Sequence, residues 1–285
     1  MNLNAEICNS FNKHAFEYEK AAKIQNEIGR RLFERLDLLK INPKFVLDLG
    51  CGTGLFTKLL KKKYPKAHVI GLDLAIEMLS ESKKKLGWIT KWSLVNGDMT
   101  SLPFASGLFD LVFANQVIHW SESLPDVLRE LSRVMNTNGC LMFSTLGPDT
   151  FKELNKAWSF DATFAHSNLF ADMHDVGDAL MQQRFIDPVV DMEQLTVQFN
   201  SLKQLLQSLR AQGVRNINTK RNQGLTGKKA WLGFEKGYEA LLTPEKKYPL
   251  SYEVVYGHAW KGDVGMDAKG TITTIPINSI KIRTK

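Results

Sequence analysis

Apolar residues recur at helical spacing in the stretch IQNEIGRRLFERLDLLK, where Ile24, Ile28, Leu32, Leu36 and Leu39 share one face. This predicts an amphipathic helix that Pro43 ends. The rhythm then changes to short apolar runs separated by helical patterns. KFVLDLG (44–50), AHVIGLDL (67–74), KWSLVNGDM (91–99), LFDLVFAN (108–115) and GCLMFSTL (139–146) read as strands. Helical patterns follow the first two and the fourth, the last of them in SLPDVLRELSRVM. Strands alternating with helices predict a mostly parallel sheet with helices on both faces, and continuous apolar strands fit burial on both sides.

After residue 146 the pattern loosens. MHDVGDALMQQ (173–183) predicts a helix, and DPVVDMEQLTVQF (187–199) a strand with polar interruptions. PLSYEVVYGHAW (249–260) predicts a late strand rich in β-branched and aromatic residues. Residues 200–248 therefore interrupt two late strands, a length that suits a lid or a substrate-facing layer better than a loop. The Gly-rich tail with alternating Ile and Thr has no assigned place.

Composition narrows the class. With 285 residues, 44% of them apolar and 24% charged, the chain can bury a real core. No apolar run approaches the ~18–20 residues that cross a bilayer, and residues 1–12 do not read as a secretory signal. Cys8, Cys51 and Cys140 form neither a CxxC pair nor a zinc pattern, which fits a reducing compartment and predicts the cytoplasm. The net charge of +7 is uneven: residues 200–285 hold 15 Lys and Arg against 6 Asp and Glu. QGVRNINTKRNQGLTGKK (212–229) carries five basic side chains and no acid, which suggests a surface for an anionic partner.

The sharpest chemistry lies in VLDLGCGTG, Val46–Gly54. Gly50, Gly52 and Gly54 let the backbone bend and a ligand approach with no Cβ in the way, and the next helix aims its N-terminus at that ligand. The dinucleotide pattern G-x-G-x-x-G would need glycine in place of Leu55. Asp48 instead sets a carboxylate beside the turn, which suits a cationic amino-acid end better than a pyrophosphate. The nonamer resembles motif I of the class I S-adenosylmethionine-dependent methyltransferases. That resemblance implies a Rossmann-like seven-stranded sheet and further cofactor contacts at strand ends. Asp73, followed by Leu74, falls where a carboxylate accepts from the ribose hydroxyls. Asp98 falls where the adenine amino group is bound, Met99 where the ring packs, and Asn115 and Gln116 at the carboxyl edge of the fourth strand.

The rest of the chain is more specific. SFNKHAFEYEKAAKIQ (10–25), GPDTFKEL (147–154), FADMHDVGDAL (170–180), DPVVDMEQLTV (187–197), RNQGLTGK (221–228) and YEVVYGHAW (252–260) together resemble the malonyl-acyl carrier protein O-methyltransferases of biotin synthesis, the BioC family. The tail after Lys261 departs from it. The resemblance implies methyl esterification of the free carboxylate of a malonyl thioester, with an acyl carrier protein as partner and neither nucleic acid nor membrane. It divides the chain into N-terminal helices covering the cofactor (1–43), a core with a small insertion after the fifth strand (44–199), a basic lid or substrate insertion (200–248), and the last core strand and tail (249–285). A carboxylate is already ionised at neutral pH, so catalysis is expected to be positional and no general base is required. Tyr18 is the candidate for closing over the cofactor, and His119, beside Trp120, for facing the acceptor. Arg210, Arg215 and Arg221 are the candidates for a bidentate clamp on the malonyl carboxylate. Lys228 and Lys229 are candidates for the carrier's acidic surface. Asp172, His174 and Asp175 read as hydrogen bonding at a helix start rather than as metal ligands. Alternatives with the same fold are a quinone or other small-molecule methyltransferase and a nucleic-acid methyltransferase. The fourth strand's NQVI is not the N/D-P-P-aromatic motif of the amino-methylating enzymes.

Overall fold

The computed structural model describes residues 3–87, 91–160, 167–213, 221, 224 and 226–262. Two helices open the chain, α1 (Leu3–Ala21) and α2 (Lys23–Arg35). The parallel part of the sheet alternates with helices: β1 (Phe45–Leu49), α3 (Leu55–Lys63), β2 (His68–Asp73), α4 (Ile76–Lys83), β3 (Ser93–Asn96), β4 (Phe109–Asn115), α5 (Leu124–Val134) and β5 (Met135–Leu146). There follow α6 (Lys152–Ala157), α7 (Met173–Gln182), β6 (Phe185–Phe199), α8 (Leu202–Ala211), α9 (Lys228–Glu239) and β7 (Tyr248–Lys261). The seven strands run in the order β3-β2-β1-β4-β5-β7-β6. The first five are mutually parallel, and β7 is antiparallel to both β5 and β6. The expected class I methyltransferase architecture is therefore present. Strand order reverses between β1 and β4, where ligands of open α/β sheets bind outside the carboxyl ends.

Alternation within the apolar strands explains why both faces are covered. Val46, Leu111, Phe113 and Met142 pack with Ile28 and Leu32 of α2 and Phe56 and Leu60 of α3. Their neighbours Leu47, Val112, Leu141 and Phe143 face the other way, onto Val127 and Leu128 of α5 and Val176 and Leu180 of α7. β6 is an edge strand, which accounts for its polar interruptions. Pro188 sits in its irregular stretch between Ile186 and Val189, where no ladder N–H is needed. Helix starts carry the caps their sequences offer. The Ser123 hydroxyl accepts from the Asp126 N–H at 3.3 Å, the Ser201 hydroxyl from the Gln204 N–H at 3.2 Å, and the Asp172 carboxylate from the His174 N–H at 2.8 Å. The last is the helix-start role read from the DMHD stretch.

Boundaries differ from the sequence reading in places. α2 ends at Arg35, and a single 3-10 turn over Leu36–Leu38 closes it before Pro43 is reached. The tighter turn still buries Leu36 while leaving Leu38 exposed, so the apolar spacing outlasts the α-helix. β5 begins at Met135 rather than residue 139, and β3 covers only Ser93–Asn96. The insertion between β6 and β7 contains α8 and α9. α9 is fixed to the core by the Trp158–Phe234 ring stack, 4.6 Å between centroids, and by the Tyr238 hydroxyl donating to the Pro249 carbonyl at 2.6 Å. The tail from residue 263, Arg215, and most of the basic stretch lie outside the described residues.

Candidate active site

The glycine turn after β1 is held by its neighbours on the sheet edge. The Cys51 N–H donates to the Leu72 carbonyl at 2.9 Å, and the Gly52 N–H to Asp73 Oδ2 at 2.8 Å. Asp73 Oδ1 accepts the Ala75 N–H, also at 2.8 Å. Burial raises the Asp73 pKa and these backbone donors pull it back. Each carboxylate oxygen keeps a lone pair for a ligand. Gly52 has φ of +52°, and a Cβ built there would meet only Tyr18 Cε1 at 4.0 Å, so its bare face opens into the cavity under Tyr18.

That cavity lies between the strand ends and α1. Gly50, Gly52, Asp73, Leu74, Asp98, Met99, Asn115 and Gln116 line it, joined by Tyr18, so nine residues singled out from the sequence meet around one space. Asp98 Oδ1 takes the Thr100 N–H and hydroxyl, each at 2.8 Å, and Oδ2 takes the Asn4 side-chain amide at 2.5 Å. Asn115 accepts from the Ser144 hydroxyl at 2.8 Å. Gln116, held at φ of +55°, donates its backbone N–H to Ser144 Oγ at 3.0 Å. The enclosed volume, about 100 Å³, is below the ~300–1,000 Å³ of typical ligand pockets, because α1 lies over the opening.

Two expected cofactor residues stand behind the cavity rather than in its wall. Asp48 is 2% exposed, its carboxylate accepts the Thr57 hydroxyl at 2.5 Å, and burial raises its pKa to about 7. It ties the end of β1 to α3. Gly54 is the left-handed N-cap of α3, with φ of +78°, and a Cβ there would stand 2.1 Å from Ser82 Oγ. Its glycine is required by packing between α3 and α4. Conversely, Asn4, Ile7, Cys8 and Phe11 of α1 line the cavity without having been singled out. Ile7, Phe11, Ala15 and Tyr18 recur at helical spacing, a stripe that signalled a covering face.

A second, smaller chamber of about 30 Å³ shares Phe11, Tyr18, Gln116 and Trp120 with the first. Its other walls are Gln25, His119, Leu146, Phe151, Asn168, Phe170, Gln212 and Tyr252. His119 Nδ1 lies 3.4 Å from the Thr145 hydroxyl, and its ring meets Trp120 and Phe170 at 5.4 and 5.6 Å. Burial pushes its pKa down to about 3, so the imidazole is neutral at physiological pH. Burial, with the Asp73 charge adding, pushes the Tyr18 hydroxyl up and keeps it protonated. Phe151 reaches the chamber from a left-handed backbone, φ of +62°, that β7 enforces: its N–H donates to the Ser251 carbonyl at 2.7 Å, and the buried Glu253 accepts the Asp149 N–H at 2.6 Å. These contacts join the GPDT and YEVV stretches.

The arginine clamp is not found among the described residues. Arg210 is exposed at the end of α8, and the Arg221 guanidinium is paired with Glu6 of α1 at 2.8 Å. Neither lines the two chambers, and Arg215 lies outside the described residues. Lys228 and Lys229 are exposed in the first turn of α9. No helix among the described residues is long and apolar enough to cross a membrane.

Comparison with known proteins agrees with this geometry. A family model described as a methyltransferase domain matches residues 47–143. The malonyl-[acyl-carrier protein] O-methyltransferase of Legionella pneumophila is 59% identical over 280 residues, covering 98% of this chain and 99% of that protein. The protein of the same name from Gallionella capsiferriformans is 44% identical over 261 residues, covering 88% and 89%. Among solved structures, the YcgJ protein of Bacillus superposes with a TM-score of 0.58 at 15% identity, covering 82% of this chain and 99% of that one. Phosphoethanolamine N-methyltransferase 2 of Haemonchus contortus, solved with phosphomonomethylethanolamine and S-adenosylhomocysteine, gives 0.56 at 16% identity, covering 92% and 61%.

Proposed function

We propose that this chain, which belongs to the malonyl-[acyl-carrier protein] O-methyltransferase family, transfers a methyl group from S-adenosylmethionine to the free carboxylate of a malonyl thioester on acyl carrier protein, a step of biotin synthesis. The observation that carries the reading is the pair of chambers joined at Tyr18, Phe11, Gln116 and Trp120. The first is assigned to the cofactor and the second to the reacting end of the acceptor.

The residues around the first chamber fit that cofactor. Asp73 has lone pairs for two ribose hydroxyls, Gly52 opens the wall, and Met99 offers a polarizable face to the adenine. Asn4 already donates to Asp98 as the adenine amino group is expected to, so cofactor binding exchanges one donor for another. When bound, S-adenosylmethionine supplies an electrophilic methyl group on a positively charged sulfur.

The described walls of the second chamber carry no charged side chain. Its described walls are amides, hydroxyls, aromatic rings and an uncharged imidazole. A malonyl carboxylate placed there meets donors from Gln116, Gln212, Tyr18 and Tyr252 but no fixed cation among the described walls. Its strongest attraction is then toward the donor's positive sulfur, and removal of water strengthens it. Tyr18, common to both chambers, and His119 position the two partners.

Positioning without proton transfer has a measurable consequence. The acceptor carboxylate is ionised above about pH 5, and His119, with its pKa down at about 3, is neutral there too. With both substrates saturating, kcat for methyl transfer to malonyl-acyl carrier protein is expected to stay within about twofold from about pH 6 to 9. His119→Gln should shift its level by less than about tenfold. A kcat that climbs with pH toward a near-neutral pKa, together with a loss of about 10²–10⁴ in His119→Gln, would establish general-base catalysis instead.

A further inference from the structure

Beyond the acceptor chamber lies a third space, an open groove of about 620 Å³ between the junction of α1 with α2, the end of β6, and α8. Gln212 and Tyr252 line both the groove and the acceptor chamber, so these two side chains are the partition between them. Amide hydrogen bonds hold the Gln212 half of the partition. Gln25 Nε2 donates to Gln212 Oε1 at 2.8 Å, and Gln212 Nε2 donates to the Ser208 hydroxyl at 3.0 Å. Gln25 Oε1 is buried with no hydrogen-bond partner among the described residues.

We propose that this groove is the path by which the phosphopantetheine arm of the carrier-bound thioester reaches the acceptor chamber, with Lys20 and Lys23 at its mouth receiving the arm's phosphate. The inference rests on the reading that the substrate is a carrier-bound thioester. Three features fit that occupant. The groove abuts the chamber in which the acyl end must react, with only Gln212 and Tyr252 shared between their walls. Ile24, Val197 and Phe199 supply apolar wall for an extended chain, and on the chamber side the orphaned Gln25 carbonyl takes an amide N–H, of which the arm has two. Lys20 and Lys23 are exposed and, among the described residues, no ion pair engages them. The one acid of the lining, Glu27, is already paired with Arg30 and Arg31 at 2.7 and 2.9 Å. By contrast, Arg210, Arg221, Lys228 and Lys229 line none of the three spaces.

The test compares malonyl-acyl carrier protein with malonyl-pantetheine, which lacks the phosphate and the carrier. The double reversal Lys20→Glu/Lys23→Glu is expected to raise KM for the carrier substrate at least about tenfold and to be mimicked by added salt. KM for malonyl-pantetheine and the dissociation constant for S-adenosylmethionine should stay within about twofold. Ala211→Trp, which fills the groove wall, should raise KM for both substrates at least about tenfold with cofactor affinity retained. An unchanged KM for the carrier substrate in the double reversal overturns the proposal. So does a larger rise from Lys228→Glu/Lys229→Glu, or an Ala211→Trp variant that uses both substrates normally. Failure of the wild-type chain to methylate either thioester would instead show that the functional reading itself is wrong.

Discussion

Asp73→Ala is expected to raise the dissociation constant for S-adenosylmethionine about 5- to 150-fold, the equivalent of roughly 1–3 kcal/mol for ligand hydroxyls left without a buried partner. The carboxylate does two jobs at once. One oxygen holds the Gly52 N–H at 2.8 Å and the other the Ala75 N–H at the same distance, and the residue lines the cavity. Losing it is expected to remove the acceptor proposed for the ribose and to loosen the turn that forms the opposite wall. Asp73→Asn keeps the volume and one acceptor, so it should fall between wild type and alanine. Calorimetric titration of folded variants with the cofactor reads both effects, and an alanine variant that binds as tightly as wild type would place the ribose elsewhere.

Gly54→Ala is expected to cost about 2–5 kcal/mol of folding stability. Roughly 1–2 kcal/mol comes from an L side chain at φ of +78°. Another 1–3 kcal/mol comes from forcing a methyl group against α4, where Ser82 Oγ, Cβ and Cα would lie 2.1, 2.9 and 3.3 Å from it. The last of these is backbone, so a rotamer change alone cannot relieve it. Ser82→Gly in the same chain should recover part of the loss, the part due to the hydroxymethyl group, and leave the backbone cost. Denaturant midpoints at a constant slope measure this, and a Gly54→Ala midpoint equal to wild type would contradict the packing role.

Gly54 also shows where sequence reasoning stops. A glycine-rich turn after an apolar strand is legible because both requirements, a bend and a close approach, select the same residue. Which glycine serves which requirement is not legible. Gly52 opens onto the cavity, and Gly54 touches a helix that starts some twenty residues later. Asp48 is the same case, since its motif position suggested ligand contact and its side chain instead binds Thr57. The core strands were readable because burial on both faces leaves continuous apolar runs. Asp73, Asp98 and Asn115 were readable because strand ends in such a sheet converge on one edge. The acceptor chamber was mostly not readable. Gln25, Phe151, Gln212 and Tyr252 come from four separate elements, and nothing local marks an amide or an aromatic ring as a chamber wall. Net charge marks the basic stretch, whereas the described walls of the chamber proposed for the acceptor carry no charged side chain for a charge pattern to reveal.

Methyl esterification of a malonyl group on a carrier protein is the reaction expected of this chain. It is tested most directly by incubating the purified protein with methyl-labelled S-adenosylmethionine and, in parallel, malonyl-acyl carrier protein, acetyl-acyl carrier protein and bulk tRNA. Label is expected in the malonyl-carrier alone, released as methanol by mild base, as an ester requires. Label in tRNA, or equal label in acetyl- and malonyl-carrier, would contradict it.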